Sequence, residues 1–276
     1  MHAASGLIKL KSTFYLIADD QLSLTSFTLN STDSIQFSKL LPGKLPDDHA
    51  ERKKLKPDWE SLVCLQSKNG NDQVLILPSG SKPKRTVGIL ANIQDDKLQS
   101  AKKIDFSVLY AKLEENFSDL NIEGAAVAGS VLKIFQRGNG KSRRNAFINL
   151  DLNGLIADIE SFGVISANNI LKTNDYDLGL IDSVPLTFTD ACFCNDQMFF
   201  TAVAEASNST YEDGKYAGAV LGCIDNSGKI IFQKKLLCDY KPEGLWVEFI
   251  SGRYAIYVVT DADNSDIMSS FYLGEF

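Results

Sequence analysis

One short pattern recurs five times along this chain: a hydroxyl or carboxylate residue, then a small residue, then an apolar run. It begins at Ser5-Gly6-Leu7, Glu60-Ser61-Leu62, Glu123-Gly124-Ala125, Asp190-Ala191-Cys192 and Glu243-Gly244-Leu245, at intervals of 55, 63, 67 and 53 residues. A period of that length restricts the fold, because one unit cannot bury its apolar face alone and must stack on its neighbours. Between the anchors each unit reads as strand, tight turn, strand, polar loop, strand, often with a fourth strand. Four-stranded units of this period predict an all-β chain folded as a five-bladed β-propeller, one domain spanning 1–276, with a six-bladed ring as the alternative. The rival, a β-sandwich, does not ordinarily repeat one motif five times.

Several segments depart from the pattern. Asp47 to Lys56 reads as a charged short helix or loop, and Ser107 to Phe117 as a short helix inserted before the third unit. Leu155 to Phe162 is open between helix and loop, and Tyr176 to Ile181 is the candidate outer strand of the third unit. The fifth unit stops after its third strand, and the residues before Ser5 offer no strand to complete it. Closure of the ring is not explained by the repeat.

At 276 residues and 44% hydrophobic, the chain can bury a sizeable core. Its net charge of −7 argues against general affinity for nucleic acid or anionic membrane, which need a positive footprint. No window approaches the roughly 18 apolar residues of a membrane span. Met1 to Ser5 lack a basic-then-apolar signal sequence, so the expected compartment is the cytoplasm. An odd cysteine count, at 64, 192, 194, 223 and 238, then reads as reduced thiols. The two histidines, His2 and His49, leave little for zinc chemistry or a Ser-His-Asp triad.

In a propeller the first strand of each blade lines the central channel. Equivalent blades would therefore bring Ser5, Glu60, Glu123, Asp190 and Glu243 together on the axis. Four converging carboxylates repel unless protonated or neutralised, and oxygen-only donors suit a hard ion, with Ca²⁺ ahead of Mg²⁺. The alternative is a channel of solvated carboxylates with no specific ion. The ends of the second strands, Asp19, Ser79, Arg137, Glu205 and Asp261, should ring the same mouth.

Near them the sequence carries basic segments containing Arg52 and Lys54, Lys82 and Arg85, and Arg143 and Arg144. Taken singly, such charge runs are solvated surface. Gathered beside a cation they would hold a small anionic, phosphorylated ligand. In that reading Arg137 stabilises developing charge, and Glu205 or Asp261 positions or deprotonates water.

Ala4-Ser5-Gly6-Leu7, Leu41-Pro42-Gly43-Lys44, Arg137-Gly138-Asn139, Tyr211-Glu212-Asp213-Gly214 and Asp261-Ala262-Asp263 resemble an uncharacterised bacterial propeller family over nearly the whole chain. More distantly, the order Ser5, Glu60, Glu123, Asp190, Glu243 is similar to the calcium-activated nucleotidases (soluble apyrases). That resemblance implies a central Ca²⁺ held by serine and glutamate, although Asp190 stands where a serine is expected. The Glu-Gly-apolar signature also appears in phytase-like and SdiA-regulated propellers. Two functions follow: a Ca²⁺-dependent phosphoester or phosphoanhydride hydrolase, or a non-catalytic propeller in which the ion is structural and the mouth binds an anion or a partner protein.

Overall fold

A computed structural model of the chain describes residues 2–29, 35–68, 71–206, 214–264 and 266–275. Tyr211, Glu212 and Asp213, which carry part of the family resemblance, lie outside the described residues. The repeats form five antiparallel sheets. Blade 1 holds β1 (Ala4–Leu10), β2 (Thr13–Ala18), β3 (Ser23–Thr28) and β4 (Gln36–Lys39). Blade 2 holds β5 (Trp59–Lys68), β6 (Asn71–Pro78), β7 (Val87–Gln94) and β8 (Lys97–Asp105). Blade 3 holds β9 (Ile122–Ala128), β10 (Val131–Gln136), β11 (Asn145–Asp151) and β12 (Ile170–Tyr176). Blade 4 holds β13 (Leu180–Ile181), β14 (Val184–Cys194), β15 (Gln197–Ala206), β16 (Lys215–Ile224) and β17 (Ile230–Leu236). Blade 5 holds β18 (Lys241–Ile250), β19 (Arg253–Asp261) and β20 (Phe271–Glu275).

Strands β1, β5, β9, β14 and β18 pack each on the next, and β18 returns to β1. The chain is a five-bladed β-propeller.

Local chemistry fits this arrangement. The two-residue hairpin turns at Asp95-Asp96, Asp182-Ser183 and Asn195-Asp196 have positive φ at both positions. That geometry matches strand twist, and short polar side chains tolerate it. The second strands are covered on both faces by adjoining blades, so they read as continuous apolar runs. Every residue of β2 is buried, and all but the ends of β15. The core is accordingly split into apolar clusters between successive blades.

Among the described residues three α-helices interrupt the blades: α1 (His49–Leu55), α2 (Ser107–Glu114) and α3 (Leu152–Ser161). Asp151 starts α3 by accepting hydrogen bonds from the Asn153 and Gly154 backbone amides, which resolves the ambiguous segment as helix. The outer strand expected at Tyr176 to Ile181 is displaced. Ile170–Tyr176 takes that place, while Leu180–Ile181 crosses to pair with β14 of the next blade. No helix among the described residues is long and apolar enough to cross a membrane. The five cysteines are free thiols.

Closure needs no shared strand. Phe14 of β2 lies 4.9 Å from Tyr257 and 5.3 Å from Phe271, ring centre to ring centre, joining blade 1 to blade 5. Lys9 pairs with Glu248 at 2.7 Å across the same seam. The Ala4 amide donates to Ser269 Oγ at 3.2 Å. This seam joins the first blade to the last. Phe14→Ala should therefore cost about 3–5 kcal/mol in urea denaturation, the range for deleting a buried aromatic. A loss below about 1 kcal/mol would show that the ring is closed elsewhere.

Candidate functional site

The recurring motif encodes two geometric devices. In four blades its first residue is an extra one in the inner strand: pairing skips Ser5, Glu60, Glu123 and Glu243. Such β-bulges re-aim a side chain, here into a cavity of about 180 Å³ on the axis. The small residue that follows lets adjacent inner strands approach backbone to backbone. A Cβ on Gly124 would lie 3.0 Å from the Asp190 Cα, and one on Gly244 would lie 3.0 Å from the Gly6 carbonyl carbon.

The fourth repeat obeys the same rule one residue earlier. Pairing there skips Thr189, so Thr189-Asp190-Ala191 is the counterpart of Ser5-Gly6-Leu7. Asp190 sits in the small-residue position between blades and does not line the cavity. Its Oδ2 accepts a hydrogen bond from the Leu245 amide at 2.7 Å. Burial pushes its carboxyl well above the usual range. The acidic side chain drew the sequence register onto the wrong residue.

On the side of blades 3 to 5, the protein supplies its own cations. Arg137 Nη2 donates to Glu205 Oε2 at 2.6 Å, and Nε to Thr187 Oγ1 at 3.3 Å. Its Nη1 lies 3.3 Å from Glu123 and 3.9 Å from Glu243. Lys241 pairs with Asp263 at 2.6 Å and reaches Glu205 at 3.7 Å. Asn121 Nδ2 donates to Glu123 Oε1 at 2.6 Å. Burial opposes the charge on Arg137, but Glu123, Glu243 and Glu205 outweigh it and raise its pKa. Glu243 goes well above the carboxylate range because its burial outweighs both Arg137 and Lys241.

On the side of blades 1 and 2, Asp58 is the hub. It accepts from Arg85 Nη1 at 2.7 Å and pairs with Lys56 at 2.9 Å, and Ser79 also donates to it. Lys56 bonds Asp19 as well. Burial would raise the Asp58 pKa, but Lys56 and Arg85 bring it below its ordinary value. Asp19 is pushed up to about 6 by burial, with Lys56 opposing.

Glu60 is different. It makes no hydrogen bond or ion pair among the described residues, and burial and then Glu123 drive its pKa well up. Oxygens of Asp19, Asp58 and Glu60 all lie within 4.8 Å of one another. Nine carboxylates and six cationic side chains line the cavity. The surplus is negative, and among the described residues Glu60 and Asp261 are the lining carboxylates without an ion pair. Carboxylate and hydroxyl donors of this kind fit a hard divalent cation.

The expected rim divides. Arg52, Arg85, Arg137, Glu205 and Asp261 line the cavity; Lys54, Lys82, Arg143 and Arg144 do not. Arg144 instead pairs with Asp175 at 2.7 Å and stacks on Phe117. Arg52 is engaged by Asp20 at 3.0 Å. Asp261 is open to the cavity, and its pKa rises to about 7 through burial and then the Asp263 charge. Lys56, at the end of the basic segment expected near the mouth, also lines the cavity. Asp58, Asn121 and Lys241 were not in the expected site; they precede their axial residues by two positions, and strand alternation is the signal that finds them.

Residues 1–274 match a protein family described as a family of unknown function, DUF6929. The chain belongs to that family. No curated protein matches this DUF6929 chain. An arabinanase from Bacillus subtilis is similar at 11% identity, covering 100% of this chain and 94% of that one, with a TM-score of 0.46. A provisionally assigned glycoside hydrolase from Parabacteroides distasonis is similar at 15% identity, covering 99% and 86%, with a TM-score of 0.48. A chain of a nidogen–laminin complex is similar at 9% identity, covering 95% and 77%, with a TM-score of 0.43. These neighbours stand where the resemblance pointed to nucleotidase, phytase-like and SdiA-regulated propellers. At such identities the likeness concerns the fold alone.

The Asp261 shift makes a signed prediction. Its folded pKa of about 7 exceeds the ordinary 3.8, so between those values the folded chain holds more protons than the unfolded one. The carboxyl's contribution to stability is retained at the acidic end of that window and lost as pH rises through it. Asp261→Asn should therefore gain stability relative to wild type as pH rises from about 5 to 8, read as a growing difference in melting temperature. A difference constant with pH would contradict the assigned environment.

Proposed function

We propose that this propeller is a hydrolase working in its axial cavity, with a hard divalent cation, Ca²⁺ ahead of Mg²⁺, held by Glu60 together with Ser5, Glu123 and Glu243. The observation that supports this most is the set of equivalent bulges, which turn those side chains into a cavity where carboxylates outnumber cations. A bound cation would polarise the electrophilic centre of a substrate.

The chain's own residues carry the proton transfers. Asp261, with its pKa near neutrality, donates a proton to the leaving oxygen as that bond breaks. Asp19, about one unit lower, accepts a proton from the attacking water. Arg137 and Glu205 have their hydrogen-bonding groups taken up by buried partners, so their part is to position Glu123 and the wall of blade 4. A phosphoester or phosphoanhydride substrate would meet Arg52 and Lys53 of α1 at the mouth. The five free thiols fit a reducing, cytoplasmic setting.

A second reading has the ion as a staple only, with the mouth binding an anion or a partner. It is favoured by the way Arg137 already joins blades 3, 4 and 5 through Glu123, Glu205 and Glu243.

Both readings expect Ca²⁺ after EDTA treatment to raise the melting temperature, by the equivalent of about 2.7 kcal/mol at a hundredfold excess over Kd. Glu60→Gln should remove that shift. Hydrolysis of nucleotides, sugar phosphates, phytate and aryl glycosides, with Asp261→Asn alongside, separates the two readings. Turnover lost in Asp261→Asn supports the hydrolase. No turnover beside an intact Ca²⁺ shift supports the staple, and no shift contradicts the cation in either.

A further inference from the structure

Blade 5 has three strands among the described residues, where every other blade has at least four. Its outermost strand, β20, bonds to β19 on one side and to no described strand on the other. An unpaired edge is a template for further pairing, and proteins guard such edges with charged residues, lysine above all.

The outermost strands of the other blades follow that rule. Exposed lysines stand at Lys39 in β4, Lys102 and Lys103 in β8, Lys172 in β12, and Lys234 and Lys235 in β17. The sequence of β20, Phe271-Tyr272-Leu273-Gly274-Glu275, contains none. It presents Leu273, 57% exposed, with the exposed Glu275 two residues on. The blade with three described strands is thus also the one whose outer strand carries no lysine.

We propose that the outer edge of β20 docks an extended, lysine-bearing segment of a partner protein, which adds the fourth strand to blade 5. Backbone pairing would supply affinity, as in other strand-addition interfaces, and alternate side chains would supply selectivity. Charge decides the kind of occupant. The edge offers Glu275, exposed and only loosely paired with Arg253 at 3.9 Å, with Asp266 in the turn that leads into β20, and the chain as a whole carries a net charge of −7. A basic segment is therefore preferred over a second copy of this acidic chain. The outermost strand of the adjoining blade, Ile230–Leu236, shows the composition that such a place accepts: three apolar residues followed by glutamine and paired lysines.

The test uses the full chain and a fluorescent, end-capped peptide with the sequence of Ile230–Leu236, followed by anisotropy. Saturable binding is expected, weakened by about tenfold or more in Leu273→Lys, which installs the missing guard. Glu275→Lys, at an exposed side chain, should also weaken it and covers the case in which Leu273→Lys disturbs the blade. A peptide with both lysines replaced by glutamate should bind more weakly to wild type. No saturable binding, or binding unchanged in both variants, would overturn the proposal. A wild-type dimer in sedimentation that Leu273→Lys dissolves would overturn it too, by giving the edge to a second copy.

Discussion

A guanidinium enclosed by three glutamates fixes the axis of this propeller. Arg137 comes from blade 3, Glu205 from blade 4 and Glu243 from blade 5, with Glu123 of blade 3 completing the set. Removing one partner from a buried ion pair typically costs about 3–5 kcal/mol, because the remaining charge is left desolvated. Each of these side chains therefore depends on the others being in place. Lys56 and Arg85 do the same for Asp19 and Asp58 between blades 1 and 2.

That dependence follows from how the inner strands pack. Small residues after each bulge bring adjacent backbones close, so the axial side chains crowd into little space. Crowding removes water and raises the energetic cost of every unpaired charge. The chain answers with internal cations for most of its carboxylates, and leaves Glu60 and Asp261 without one. Under the proposed function, Glu60 is where an external cation would bind. In the proposed hydrolase the neighbouring Asp261 and Asp19, both raised by burial, would carry the proton transfers. Structure and chemistry thus share one cause, the desolvation of a ring of acids.

The five-bladed ring was legible because a motif spaced at blade length says how many units there are. Its second residue was legible as small, yet the reason, close strand approach, appears only in three dimensions. The fourth anchor was misread because Asp190 looks more like a ligand than Thr189, and no local signal marks where a bulge falls. Strand alternation from Glu60 and Glu243 points to Asp58 and Lys241, but their ion-pair partners, such as Arg85 and Glu205, lie far off in sequence. The rim cations failed on direction. Loop composition says nothing of where a loop points, and Arg144 turns to Phe117 and Asp175 rather than to the axis.

The proposed chemistry depends on whether the axis takes up a cation beside Glu60. Crystals of the wild-type chain grown with Mn²⁺ in place of Ca²⁺, measured at the manganese absorption edge, locate such an ion directly. The expected result is an anomalous peak on the axis within coordination distance of Glu60, lost in Glu60→Gln crystals. A cavity without a peak, with Glu60 turned onto Lys56 or Arg137 instead, would contradict it.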